Sequence, residues 1–157
     1  MSDFEAIKAY RQNYDGEAMR DPSGPAQFNL DGWISEGPFE KLCGMEIIQA
    51  KEGKALVSMP YRVKLSMGGG LMHGGALVSL AETAIAMAVK SLLPEGSTFV
   101  TLSLNSTFIA PMREGTAFAK AEVERSEGKK LHASARIFNE HEEHVADFNA
   151  LFIVTDK

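Results

Sequence analysis

The sequence predicts an α+β domain in which an antiparallel sheet wraps around one long helix. Three observations carry that prediction. Residues 74–93 place Leu77, Leu80, Ala81, Ala84, Ile85, Ala88 and Leu92 at the i, i+3, i+4, i+7 spacing of a helix face. Four strand-like runs follow, at 98–109, 116–125, 131–138 and 145–154, joined by short polar turns. Two more runs, 45–50 and 55–61, precede the helix. The order β-β-α-β-β-β-β, with consecutive short turns, favours antiparallel pairing over parallel crossovers.

Each element has its own signal. Residues 2–20 suggest a helix, with Phe4, Ile7, Tyr10 and Tyr14 loosely on one face and Ser2 and Glu5 in capping-box spacing. Asp21-Pro22-Ser23-Gly24-Pro25 breaks it, and a loop runs to Pro38. This divides the chain into an N-terminal extension, 1–38, and one domain, 39–157. Lys51-Glu52-Gly53 turns the first hairpin. Residues 63–70 read as a loop ending in three glycines. Pro94-Glu95-Gly96 stops the long helix. Alternation in 98–109 puts Val100, Leu102 and Leu104 on one face and Thr101, Ser103 and Asn105 on the other. Ala117, Ala119, Ala121 and Val123 likewise share a face. The helix is apolar nearly all round, so it is expected to be buried on most sides. The surface left over favours pairing of two copies through a sheet edge.

Composition narrows the function. The chain has 157 residues, enough for one domain with a real core. Sixteen Lys and Arg against twenty-one Asp and Glu give a net charge of −5. An acidic chain is a poor generic nucleic-acid binder, though a local basic patch can still hold a small anionic ligand. Cys43 is the only cysteine, which excludes an intrachain disulfide and a multi-cysteine zinc site. The start of the chain lacks the apolar stretch of a secretory signal, and the run 74–89 is interrupted by Glu82 and short for a membrane span. The expectation is a soluble, cytoplasmic protein without membrane or nucleic-acid partners.

The chemistry concentrates around the long helix. Its start reads His73-Gly74-Gly75. The first N–H groups of a helix lack intrahelical partners and carry partial positive charge, and glycine lets a ligand oxygen come close. Such a site can stabilise an oxyanion. Read more plainly, the glycines only turn loop into helix. Glu82 lies among Leu80, Ala81, Ala84 and Ile85. A carboxylate there must be paired, sit at a subunit contact or face a cleft. Gly74 and Glu82 are eight residues apart, or about 12 Å along a helix. One carbonyl carbon cannot touch both on one straight helix. If the two cooperate, they come from different chains, and the site lies at a dimer interface.

These residues resemble a known family, the hotdog-fold acyl-CoA thioesterases of the phenylacetate-pathway type, in the 4-hydroxybenzoyl-CoA thioesterase superfamily. The resemblance is carried by His73-Gly74-Gly75, the acid nine residues on at Glu82, Ser106-Thr107-Phe108-Ile109-Ala110-Pro111, and the Glu127-Gly128-Lys129-Lys130-Leu131 turn. It spans 39–154. It implies a homo-oligomer, dimer or dimer of dimers, that hydrolyses an acyl-CoA to acid and CoA with no metal or other cofactor. By the resemblance, the Gly74 N–H polarises the thioester carbonyl and His73 shapes that turn. Glu82 of the partner chain is the nucleophile or the base, and Thr101 assists it. Many relatives carry Asn six residues before the His, where this chain has Met67, with Ser66 beside it. Candidate substrate contacts are Gly75, Met67, Leu71 and Met72 around the acyl group, and Arg113, Arg125, Lys129 and Lys130 for the CoA phosphates. The alternatives are an acyl-CoA binder without catalysis and, with less support, an acyl-CoA hydratase.

Other motifs are weak. His141-Glu142-Glu143-His144 has metal-ligand residue types but falls in a turn. Gly69 and Gly74 have Walker A spacing without the Lys-Ser/Thr, and no G-x-S-x-G elbow occurs.

Overall fold

A computed structural model describes residues 30–155. The expected helix at 2–20 lies outside the described residues. The elements are α1 (Pro38–Cys43), β1 (Glu46–Lys51), β2 (Lys54–Pro60), a single 3-10 turn (Val63–Leu65), α2 (Gly74–Lys90), β3 (Thr98–Phe108), β4 (Thr116–Glu127), β5 (Lys130–Phe138) and β6 (His144–Thr155). The six strands form one sheet in the order β1-β2-β4-β5-β6-β3, and every neighbouring pair is antiparallel.

The local chemistry explains the elements. β1 and β2 are joined by Glu52 and Gly53, both with positive φ (52° and 76°), as a two-residue hairpin turn requires. A side chain at Gly53 would also meet Leu92 Cδ1 at 3.1 Å. Inward residues of β2, β4 and β5 are Ala55, Val57 and Met59, then Ala117, Ala119 and Ala121, then Ala133, Ala135 and Ile137, all buried. The alanine rows let α2 settle closely onto the middle of the sheet. Leu77, Leu80 and Ile85 fill the space above, with Phe148 and Phe152 of β6 alongside. Each such large side chain contributes about 1.5–3 kcal/mol of burial.

The structure departs from the expectations in two places. The short helix α1 begins at Pro38, where the expected loop ends, on residues to which the sequence pattern assigns no element. Pro38 stands at its first turn, and the Gly37 N–H donates to Glu40 Oε2 at 3.0 Å. Pro at the first helical position and Glu two residues later form a helix-start pattern that the sequence did display. The segment before α1 is also tied to the domain: Trp33 Nε1–H donates to the Lys90 carbonyl, and Lys90 Nζ donates back to the Trp33 carbonyl. The second departure concerns β3. A bulge between Thr101 and Ser103 in its pairing with β6 breaks the alternation. Phe99 and Leu104 pack against the core, while Val100 and Leu102 face out. Leu104 thus leaves the face shared by Val100 and Leu102. β3 is an edge strand, and Val100, Leu102, Phe108 and the adjoining Ile109 all stand exposed on it.

Candidate active site

The glycine-rich loop is a closed structure. Met67 N–H donates to the Leu71 carbonyl and Gly70 N–H to the Met67 carbonyl. Met72 N–H is held by the Met112 carbonyl at 2.7 Å, and His73 N–H by the Leu65 carbonyl at 2.8 Å. The amides of Met67, Gly70, Met72 and His73 are therefore occupied within the chain, and the loop leads directly into His73 at the start of α2.

His73 caps that helix. The Gly75 N–H donates to His73 Nδ1 at 2.9 Å. Nδ1 is thereby an acceptor, so the ring proton resides on Nε2, which is left as a donor. The Ala76 and Leu77 N–H groups both go to the His73 carbonyl. Of the two glycine amides that the sequence offered to a ligand, Gly75's is occupied by its own cap. Gly74's is the first of the helix and has no partner among the described residues. The Phe108 ring lies over Gly74. A Cβ there would sit 3.3 Å from Phe108 Cζ, close enough that the ring would have to give by a few tenths of an ångström.

Two turns further on, Thr101 Oγ1 donates to Glu82 Oε1 at 2.9 Å. The bulge in β3 follows directly after Thr101, whose hydroxyl is aimed at α2. Glu82 is half-buried, and its Oε2 has no partner among the described residues. Glu82, Thr101, Ser79 and Phe39 line a cavity of about 450 Å³. His73, Gly75, Ser79, Lys64 and Phe39 line a second, of about 380 Å³. Ser79 and Phe39 belong to both. So one chain carries the helix start and the acid on adjoining cavities rather than in one, as the length of helix between them requires.

The structure separates the other candidates. Met72 is buried in the core, and Met67 is exposed on the loop; neither lines either cavity. The basic residues do not form one patch. Arg113 adjoins Met112, beside the start of α2. Arg125, Lys129 and Lys130 belong to the β4–β5 hairpin at the other end of β4, roughly 30 Å away at the rise of a strand. Arg125 Nε pairs with Glu127 at 3.0 Å. His144, the first residue of β6, bonds Asp147 at 2.7 Å, and among the described residues no three His, Cys, Asp or Glu side chains are grouped as metal ligands.

Several lining residues were missed by sequence reasoning. Phe39 and Glu40 came with the missed α1. Thr83 Oγ1 donates to Glu40 Oε1 at 3.1 Å, fastening α1 to α2. Burial, reinforced by the Glu40 carboxylate, pushes the Cys43 thiol above its ordinary range, although Lys64 and Arg62 pull the other way. Burial pulls the Lys90 ammonium down, against the pull of Glu40.

Comparison with known proteins matches this architecture. The thioesterase superfamily profile aligns with residues 69–146. The acyl-coenzyme A thioesterase PaaI of Escherichia coli is 32% identical over 109 residues, which cover 69% of this chain and 76% of that protein. The 1,4-dihydroxy-2-naphthoyl-CoA hydrolase of Listeria monocytogenes is 34% identical over 85 residues, covering 54% of this chain and 68% of that one. The solved structure of a thioesterase from Haemophilus influenzae superposes with a TM-score of 0.74 at 25% identity, over 83% of this chain and 92% of that one. The chain belongs to the thioesterase superfamily and has its hotdog fold. It is by class a thioester hydrolase. No helix among the described residues is long and apolar enough to cross a membrane.

Proposed function

We propose that the protein hydrolyses an acyl-CoA to free acid and CoA in a site shared by two copies of the chain. The observation that carries this reading is the Thr101–Glu82 hydrogen bond of 2.9 Å. It fixes one carboxylate oxygen and leaves the other facing the cavity. The superfamily membership and the named substrates of the relatives supply the thioester and the CoA.

The mechanism follows from the two half-sites. The thioester oxygen accepts from the Gly74 N–H, where the helix dipole also favours negative charge. Glu82 of the partner attacks the carbonyl carbon, or takes a proton from the water that does so. The carbonyl electrons move to the oxygen at Gly74. Collapse of the tetrahedral intermediate breaks the C–S bond and expels CoA as thiolate, which takes a proton from solvent. On the nucleophilic route, water then cleaves the acyl–Glu82 anhydride. The Phe108 ring packs beside Gly74, and His73 holds the helix start in shape. No metal or redox cofactor is needed for any step.

Two copies join through β3, whose exposed apolar residues and unpaired edge support the pairing. The CoA phosphates meet exposed basic side chains. Arg125, Lys129 and Lys130 form one group and Arg113 stands apart, so a given protomer offers one CoA only one of these.

The test is thiol release from short, medium, long-chain and aryl acyl-CoAs, comparing wild type with Glu82→Ala. Release by wild type and its loss in the variant is the expected result. Tight acyl-CoA binding with no thiol released by wild type would instead make the protein an acyl-CoA binder.

A further inference from the structure

We infer that α1 is the wall that selects the acyl group, with Phe39 as the residue that sets its length and shape. This rests on the thioesterase reading above and deepens it. α1 has six residues and two unlike faces. Cys43 points into the core at 4% exposure, while Phe39 and Leu42 point out at 50% and 62%. Three residues apart, the two outward side chains stand next to each other on one helix face. Both line the 380 Å³ cavity at the start of α2, and Phe39 alone continues into the 450 Å³ cavity of Glu82 and Thr101. Their combined size is that of ordinary small-ligand pockets.

The wall is fixed rather than mobile. Pro38 and the Gly37–Glu40 bond start α1, and Gly44, at φ 73°, ends it with its N–H on the Lys41 carbonyl. Glu40 serves twice, as cap for α1 and as acceptor for buried Thr83, the neighbour of Glu82 in sequence. Phe39 is thereby held at a set distance from the acid.

The occupant follows from what shares the cavities. One contains Glu82 and Thr101 and the other contains His73 and Gly75, which flank Gly74, so the apolar wall running between them faces the substrate's own apolar part. The opposing strip of α2 offers Gly75, Ala76 and Ser79, which are too small to grade one chain length from another. Phe39 and Leu42 are large, half-exposed and outside the core. Their truncation widens the pocket without opening a hole beneath the sheet.

The experiment measures kcat/KM for acetyl-, hexanoyl-, decanoyl-, palmitoyl- and benzoyl-CoA with wild type, Phe39→Ala, Phe39→Trp and Leu42→Ala. Affinity for a non-hydrolysable thioether analogue of each and the oligomeric state by light scattering are recorded alongside. The expected result is a change of about tenfold or more in the ratio between long and short chains for Phe39→Ala. Phe39→Trp moves the ratio the opposite way, and Leu42→Ala moves it less. Equal losses on every chain length, with the rank order kept, would overturn the inference. So would variants whose only change is weaker dimerisation, since Phe39 would then be a contact between copies. If wild type releases no thiol, the thioesterase reading fails separately, and the analogue affinities still decide α1: length-dependent changes support the wall, and unchanged affinities refute it.

Discussion

The two sides of α2 are built from one helix and do opposite work. Toward the sheet it presents Leu77, Leu80, Ala81, Ala84, Ile85 and Ala88, all buried over the alanine floor of β4 and β5. Away from the sheet it presents Gly75, Ser79, Glu82 and Ala86, none of them fully buried, facing the two cavities. The first side accounts for stability. The second contributes little to folding, and it bears a carboxylate and, at the helix start, the Gly74 amide that the His73 cap leaves without a partner among the described residues. The difference teaches that the apolar period of a helix marks its fold, and the residues that interrupt the period mark its chemistry.

The sharpest way to break that comparison is at Glu82. Glu82→Gln keeps the shape and removes the base or nucleophile, so kcat should fall about a thousandfold or more with an unchanged melting temperature. Turnover near wild type would take Glu82 out of the mechanism. Next comes Gly74→Pro. Proline is well tolerated at the first helical position, and His73, at φ −64° and ψ 134°, already has the backbone that precedes a proline. The N–H is deleted and a Cβ is added 3.3 Å from Phe108 Cζ, so Gly74→Ala, which adds the Cβ and keeps the N–H, is the control. A loss of about 10²–10³ in kcat, with folding retained by circular dichroism, is expected for a removed oxyanion donor. On the other side of the helix, Leu80→Ala should cost about 2–5 kcal/mol in denaturant unfolding, because Leu80 is wholly buried. Its folded fraction should keep its turnover, which would show that the two sides are separable. The smallest effect is at Thr101. Thr101→Val removes one hydrogen bond to Glu82 and should lower kcat about tenfold, or one charge-assisted bond. Thr101→Ser should restore it, and equal losses in both variants would point to packing instead.

Much of the fold was legible in the sequence. The six strands and the long helix emerge from period-2 and period-3.6 patterns because the sheet is buried on one face and the helix on most of its own. The patterns fail where geometry departs from regularity. At Thr101 a bulge inserts a residue and turns Leu104 inward, and no alternation rule anticipates that. In α1, six residues are too few to show a period, and only the Pro38 and Glu40 start signal was available. At the site, the motif led to Gly74 and Glu82, and the structure supplied what a motif cannot. It pairs Thr101 with Glu82, shows that Gly75's amide is taken by His73, and places Phe108 over Gly74. The basic residues illustrate the opposite case. Arg113 and Arg125 are close in sequence, yet the length of β4 holds them toward its opposite ends.

The central claim is that one site draws Gly74 and Glu82 from different chains, and mixed dimers test it most directly. Glu82→Gln and Gly74→Pro chains, each carrying a different affinity tag, are co-expressed, and dimers bearing both tags are purified. Each parent dimer lacks one half of both its sites and should be inactive. A mixed dimer places both lesions in one site and leaves the other intact, so it should recover about half of wild-type turnover per dimer. Mixed dimers as inactive as the parents would contradict the shared site and place Gly74 and Glu82 in the same chain's chemistry.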